Sequence, residues 1–266
     1  MVLGVFDSGV GGLTVLQQII RQMPGTAVLY FADTARLPYG GRTTGEICRY
    51  VREILHWFES EGVDRVLMAC NTSSALALPV VRHEFDISID GLIDAGAEAA
   101  LAAGGERIGV IATAATVASR AYSRAIRERS RRAQVWEVAC PAFVPLIEGG
   151  QWMSDQMRIV ARQYLEPLLK QRIDALIYGC THYPYLAPIF EEFIPASIQR
   201  IDPAVAAVAR LKATGQPPQE CTDQAHYRFC VSGDPEQFAH AASAWLGYRP
   251  AVCAVNLPTL PVGLRG

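Results

Sequence analysis

Two short segments, Ala69-Cys70-Asn71-Thr72 and Gly179-Cys180-Thr181-His182, carry the residue types best suited to proton chemistry. Each follows a compact apolar run, Val66-Leu67-Met68-Ala69 or Ala175-Leu176-Ile177-Tyr178, and each precedes a segment with helical patterning. A helix start lowers a thiol's pKa and attracts anions. A free thiol titrates near ~8.5, so a modest shift makes it usable as a base at neutral pH. His182, two residues beyond Cys180, fits a nucleophile or a proton relay. Taken singly, Cys70 reads more readily as a buried, inert thiol. Two in matched settings, 110 positions apart (180 − 70), suggest a pair facing one carbon from opposite sides.

Such a pair needs two similar frameworks. Apolar runs predict strands over Leu3–Phe6, Ala27–Phe31, Val63–Ala69, Ile87–Leu92, Arg107–Ile111, Gln134–Val138, Ala175–Tyr178, Ile198–Ile201 and Arg228–Ser232. Between them lie helical spacings such as Leu13-Leu16-Ile20 and Ile47-Val51-Ile54-Leu55-Phe58. Alternation of this kind predicts an α/β fold with mainly parallel sheets flanked by helices and sites at the carboxyl ends of strands. Gly4-Val5-Phe6-Asp7-Ser8 and Gly109-Val110-Ile111-Ala112-Thr113 open two halves. Each precedes its cysteine by a similar span, 66 residues (70 − 4) and 71 residues (180 − 109), so the chain reads as a loose duplication. The expectation is two pseudo-symmetric domains, residues 1–95 with 208–266 and residues 96–207, with the active site in the cleft between them. The boundary is expected near Asp94–Gly104, where Ala and Gly accumulate, and Pro217-Pro218 reads as a linker. The segment beyond it, with a helix starting at Gly233-Asp234-Pro235-Glu236, is expected to complete the first sheet.

Two further loops are candidates. In Asp7-Ser8-Gly9-Val10-Gly11-Gly12-Leu13-Thr14, three glycines let the backbone approach a ligand, and the following helix favours an anion. A tight turn capped by Asp7 or Ser8 explains the same residues, and the spacing is not a dinucleotide fingerprint. In Phe31 to Arg42, Pro38 and Gly40 suggest a rigid turn whose N–H groups could bind a carboxylate, or an ordinary surface loop. The basic run Ser119 to Arg132 reads better as a solvated helix face than as a nucleic-acid surface.

Composition removes whole classes. The 266 residues are half apolar with net charge −2, so neither nucleic acid nor an anionic membrane is expected as a partner. No apolar run approaches the roughly 18 residues that span a bilayer, and Met1 to Asp7 reads directly as a first strand rather than a signal peptide. Seven cysteines form no C-x-x-C pair, which fits free thiols in a reducing cytosol. Five histidines show no second cluster, so no metal site is expected. Lys170 and Lys212 are the only lysines; neither sits in a P-loop or looks like a Schiff-base lysine, which disfavours pyridoxal phosphate.

The segments Gly4 to Leu16, Ala32 to Gly40, Ala69-Cys70-Asn71-Thr72, Gly179 to Pro184, Ile201-Asp202-Pro203-Ala204 and Ser232-Gly233-Asp234-Pro235 together resemble the glutamate racemases. These are cofactor-independent enzymes that supply D-glutamate for bacterial peptidoglycan. The segments cover nearly the whole chain in the family's order. The resemblance implies two α/β domains with a small amino-acid substrate between them, no cofactor, a cytoplasmic location and a homodimer. Cys70 and Cys180 match the two catalytic acid/base cysteines, and Asp7 and His182 match residues that assist them. Asp7, Ser8, Pro38, Tyr39, Gly40, Asn71, Thr72, Thr181 and His182 match substrate-contacting positions, with the Pro38-Tyr39-Gly40 turn at the distal carboxylate. Thr113, Thr116 and Glu148 match further cleft positions. Ser73 stands where alanine is common. No long N-terminal extension of the kind some members carry is present, so regulation through one is not expected.

The chemistry then follows. One thiolate removes the α-proton, the other thiol returns a proton to the opposite face, and the roles exchange with direction. With no imine to take up the charge, dipoles must stabilise the carbanion-like state; Asn71, Thr72 and Thr181 are the expected donors at the α-carboxylate. An aspartate racemase with the same two thiols is the nearest alternative, since one methylene is a small discrimination. A thiol hydrolase built on Cys180 and His182 would leave Cys70 without a role. A closing amino-acid receptor would bind without exchanging the α-proton.

Overall fold

A computed structural model of the chain describes residues 2–214 and 227–258. Ten strands form two sheets: β1 (Val2–Asp7), β2 (Ala27–Ala32), β3 (Arg65–Met68), β4 (Ser88–Asp90), β5 (Arg107–Ala112), β6 (Gln134–Ala139), β7 (Ala175–Gly179), β8 (Gln199–Ile201), β9 (Tyr227–Val231) and β10 (Val252–Ala254). The first sheet runs β10-β9-β2-β1-β3-β4 and the second β6-β5-β7-β8, with every pairing parallel. All nine expected strands are present. β10 is additional: three residues at a sheet edge, with Cys253 exposed, leave too little apolar signal to read.

The duplication is visible in the strand order. β2-β1-β3-β4 of the first sheet repeats as β6-β5-β7-β8 of the second, so β3, which leads to Cys70, is the counterpart of β7, which leads to Cys180. Parallel sheets need cover on both faces, which is why these strands read as near-continuous apolar runs. Four buried clusters supply it, one on each face of each sheet. Each wholly buried Leu, Ile or Phe contributes roughly 1.5–3 kcal/mol. The segment after the proposed linker returns to the first sheet as β9 and β10. Pro217-Pro218 and Cys221 lie outside the described residues.

The helices follow the expected spacing with one rotation. In Leu13–Gln22, Leu13, Leu16 and Ile19 face the core while Ile20 is exposed. The Ala- and Gly-rich stretch after Asp94 is a helix, Ile93–Ala102, rather than an open connection. Its small residues allow close approach: a Cβ at Gly96 would lie 2.9 Å from Pro203 and 3.1 Å from Tyr122. Helix Pro203–Thr214 packs between it and Leu13–Gln22, and so ties the two halves together. The arginine-rich run forms helix Ala121–Arg129 with Arg124, Arg127 and Arg129 exposed, a solvated face as expected. Among the described residues no helix is long and apolar enough to cross a membrane.

Candidate active site

The strand ends converge on one cavity of about 260 Å³. Asp7 and Ser8 enter it at the end of β1, Pro38 to Gly41 after β2, and Cys70, Asn71 and Thr72 after β3. The second sheet contributes Thr113 and Ala114 after β5, Cys140 and Pro141 after β6, and Cys180, Thr181 and His182 after β7. The two cysteines therefore reach one space from equivalent strands of two different sheets.

Each loop is shaped by a local need. Asp7 Oδ2 accepts the N–H groups of Gly9 and Gly12, both at 3.0 Å, so this carboxylate closes the turn rather than capping helix Leu13–Gln22, which has no side-chain cap. Gly11 is required because the turn passes directly beneath the histidine: a Cβ there would lie 2.4 Å from His182 Nδ1. Tyr39 donates to Asp33, which also accepts from Arg36 Nε at 3.0 Å and Ser232 Oγ at 2.7 Å. Arg36 bonds Glu53 in turn, so the Pro38-Tyr39-Gly40 turn is braced from behind. Gly40 brings that turn against the second half, where a Cβ would lie 2.9 Å from Thr113.

Cys70 and Cys180 sit in unlike settings. His182 Nδ1 lies 3.7 Å from Cys180 Sγ, and its Nε2 lies 2.7 Å from Glu148 Oε1. Burial alone disfavours the imidazolium, but the bonds to Cys180 and Glu148 outweigh it and hold the ring well above its ordinary pKa. Cys70 has no such cation. Burial, then Asp7, push its thiol up to about 12, while the N–H and hydroxyl of Ser73 pull the other way. The expected lowering of this thiol by a helix start is thus outweighed; helix Asn71–Leu76 is only six residues long, and the sulfur is buried beside a carboxylate. Burial likewise raises the Asp7 carboxyl, against the pull of His182 and the two glycine N–H groups.

Of the residues singled out in the sequence, Asp7, Ser8, Pro38, Tyr39, Gly40, Cys70, Asn71, Thr72, Thr113, Cys180, Thr181 and His182 line the cavity. Thr116 and Glu148 do not. Thr116 stands behind Thr72 and Thr113, with the three hydroxyls linked at 2.9 to 3.3 Å, and Glu148 stands behind His182. The sequence reading missed a wall made by Gly41, Ala114, Cys140, Pro141, Val144 and Pro145. Cys140 had no polar neighbours to mark it. It follows Ala139 as Cys180 follows Gly179, and both strands flank Ala112 of β5. Two strand spacings, about 9.5 Å, keep these thiols beyond disulfide reach. Among the described residues no group of three or more His, Cys, Asp or Glu side chains could hold a metal ion.

The comparisons with known proteins agree with this geometry. A family model for the Asp/Glu/Hydantoin racemases matches residues 4–211. The glutamate racemase of Gloeobacter violaceus is 64% identical over 261 residues, covering 98% of each chain. The crystal structure of a glutamate racemase isoform from Bacillus anthracis superposes with a TM-score of 0.90 at 34% identity, over 97% of this chain and 98% of that one. The Francisella tularensis glutamate racemase, solved in complex with D-glutamate, gives 0.85 at 30% identity over the same shares.

Proposed function

This chain belongs to the Asp/Glu/Hydantoin racemase family, and from that premise we propose that it interconverts L- and D-glutamate by a two-base mechanism on Cys70 and Cys180. The observation that carries the mechanism is their placement: equivalent ends of β3 and β7, from two sheets, lining one cavity. The thiolate of one removes the α-proton and the thiol of the other delivers a proton to the opposite face. A single base would tend to return its proton to the side it came from. His182 stands within hydrogen-bond reach of Cys180, whereas burial and Asp7 hold Cys70 as the thiol. Cys70 is thus set to act first as the acid, and each turnover exchanges the roles of the two sulfurs.

Asn71, Thr72 and Thr181 supply the donors for the α-carboxylate, whose charge grows as the α-proton leaves. The turn at Pro38, Tyr39 and Gly40 receives the distal carboxylate. No cofactor enters this scheme. The resemblance noted in the sequence supports a cytoplasmic homodimer that supplies D-glutamate for peptidoglycan. It also supports residues 1–95 with 208–266, and 96–207, as the two domains.

Circular dichroism of both enantiomers, with α-proton exchange in heavy water, tests the reading. Both L- and D-glutamate should racemise and take up deuterium at the α-carbon, and L-aspartate should react far more slowly. Cys70→Ala and Cys180→Ala should each abolish racemisation in a folded protein. Normal turnover in either variant removes the two-thiol mechanism; binding without exchange makes the cavity a receptor.

A further inference from the structure

We propose that Tyr122 is a positioning residue for the α-carboxylate site, holding the Asn71 amide with its nitrogen toward the cavity. The inference rests on the reading that this cavity takes an amino acid through Asn71. Tyr122 belongs to the second half, on helix Ala121–Arg129, and does not line the cavity. Its hydroxyl donates across the two halves to Asn71 Oδ1 at 2.6 Å. Both residues are buried, Tyr122 completely.

An amide side chain has one accepting end and one donating end. In one orientation Asn71 accepts from the phenol and turns Nδ2 toward the cavity it lines. Flipped, it would present a carbonyl oxygen to an incoming carboxylate, which repels it. A phenol can also accept, but it is a stronger donor than acceptor, so Tyr122 favours the first orientation. Its ring is fixed by two glycines: a Cβ at Gly96 would lie 3.1 Å from Cε1, and one at Gly179 would lie 3.2 Å from Cε2. Gly179 immediately precedes Cys180, so the same ring that sets the amide also packs behind the second thiol. Asn71 in turn immediately follows Cys70.

Tyr122→Phe removes one oxygen and leaves the ring in place. Its KM for both enantiomers should rise about tenfold, with kcat changed less, and its melting temperature should stay close to that of the parent. The decisive measurement is the double-mutant cycle with Asn71→Ala. Once the amide is gone, removing the hydroxyl should cost nothing further in kcat/KM, because the phenol acts only through it. An unchanged KM in Tyr122→Phe overturns the proposal, and so does a full tenfold loss when the change is added to Asn71→Ala. A parent enzyme that fails to exchange the α-proton of glutamate overturns the functional reading itself. An active parent with an unaffected Tyr122→Phe overturns the role of Tyr122 alone.

Discussion

His182 Nε2 lies 2.7 Å from Glu148 Oε1, which makes the imidazole a bridge between a partly exposed carboxylate and the sulfur of Cys180 on its other side. Cys70 faces the opposite electrostatics, with the Asp7 carboxylate nearby and no imidazole in hydrogen-bond reach. The two halves repeat each other in strand order, yet the duplication has left two thiols with unlike neighbours, an imidazole at Cys180 and a carboxylate at Cys70. That difference suits a two-base reaction, in which the two sulfurs must play opposite parts at any one time.

Glu148→Gln should make the enzyme lose activity at lower pH. The His182 pKa is raised in part by this carboxylate, so the imidazolium is present below that pKa and lost as pH rises through it. Gln still accepts a hydrogen bond from Nε2 but removes the charge, and the ring's pKa falls. Because Glu148 is partly exposed, the alkaline limb of kcat/KM should move down by up to about one pH unit. A pH profile of the parent and variant checks this. An unmoved alkaline limb would show that Glu148 does not set the state of His182.

Gly11→Ala should nearly abolish turnover. A methyl group there would lie 2.4 Å from His182 Nδ1, 2.5 Å from Cε1 and 2.6 Å from Thr181 Oγ1. No rotamer relieves a backbone Cβ, so the histidine must leave Cys180. A misplacement of about 1 Å can cost on the order of 100-fold in rate. Gly45→Ala, in helix Thr44–Ser60 with nothing within 4 Å, serves as the control and should retain full activity. Near-normal kcat in Gly11→Ala would contradict the close packing of this turn.

The framework and the polar half of the site were legible because both rest on local signals. A strand buried on both faces must be apolar throughout, and a thiol after such a strand, beside Asn, Thr or His, stands out by type. What escaped was set by tertiary contact. Tyr122 lies in an arginine-rich stretch whose charges dominate the pattern, although Ala121, Tyr122, Ala125 and Ile126 do carry the i, i+3, i+4 spacing of a core face. Asp33 looked like part of a surface loop, yet it is buried and braces Tyr39. The raised pKa of Cys70 depends on burial and on a carboxylate 63 positions earlier (70 − 7), neither of which a local motif encodes.

Ser73→Ala should make Cys70 harder to ionise without touching Cys180. Cys70 is the N-cap of helix Asn71–Leu76, and Ser73 is the third residue of that helix, where an N-cap side chain normally meets a free N–H. The Ser73 hydroxyl donates to the Cys70 carbonyl at 3.0 Å; when the sulfur ionises that one proton can turn to it, and there it favours the thiolate together with the Ser73 N–H. Against them stand burial, Asp7 and Cys180, and the phenols of Tyr30 and Tyr39 also lie within electrostatic reach. Losing one hydrogen bond to a charged group costs about 1.5 kcal/mol, or roughly one pH unit and a tenfold smaller thiolate fraction. The sign is fixed: Cys70, with its pKa raised to about 12, is a thiol at neutral pH, and the variant keeps it so to still higher pH. Iodoacetamide labelling across pH, read by peptide mass spectrometry, measures both thiols in one sample. Cys70 should react about tenfold more slowly at a given pH, Cys180 should be unchanged, and Ser73→Thr should behave like the parent. The enantiomers are equal in free energy, so kcat/KM must fall by one common factor in both directions, and only kcat can distinguish the direction that needs Cys70 as base. If Cys180 slows in step with Cys70, the change is structural and Ser73 does not tune the thiol.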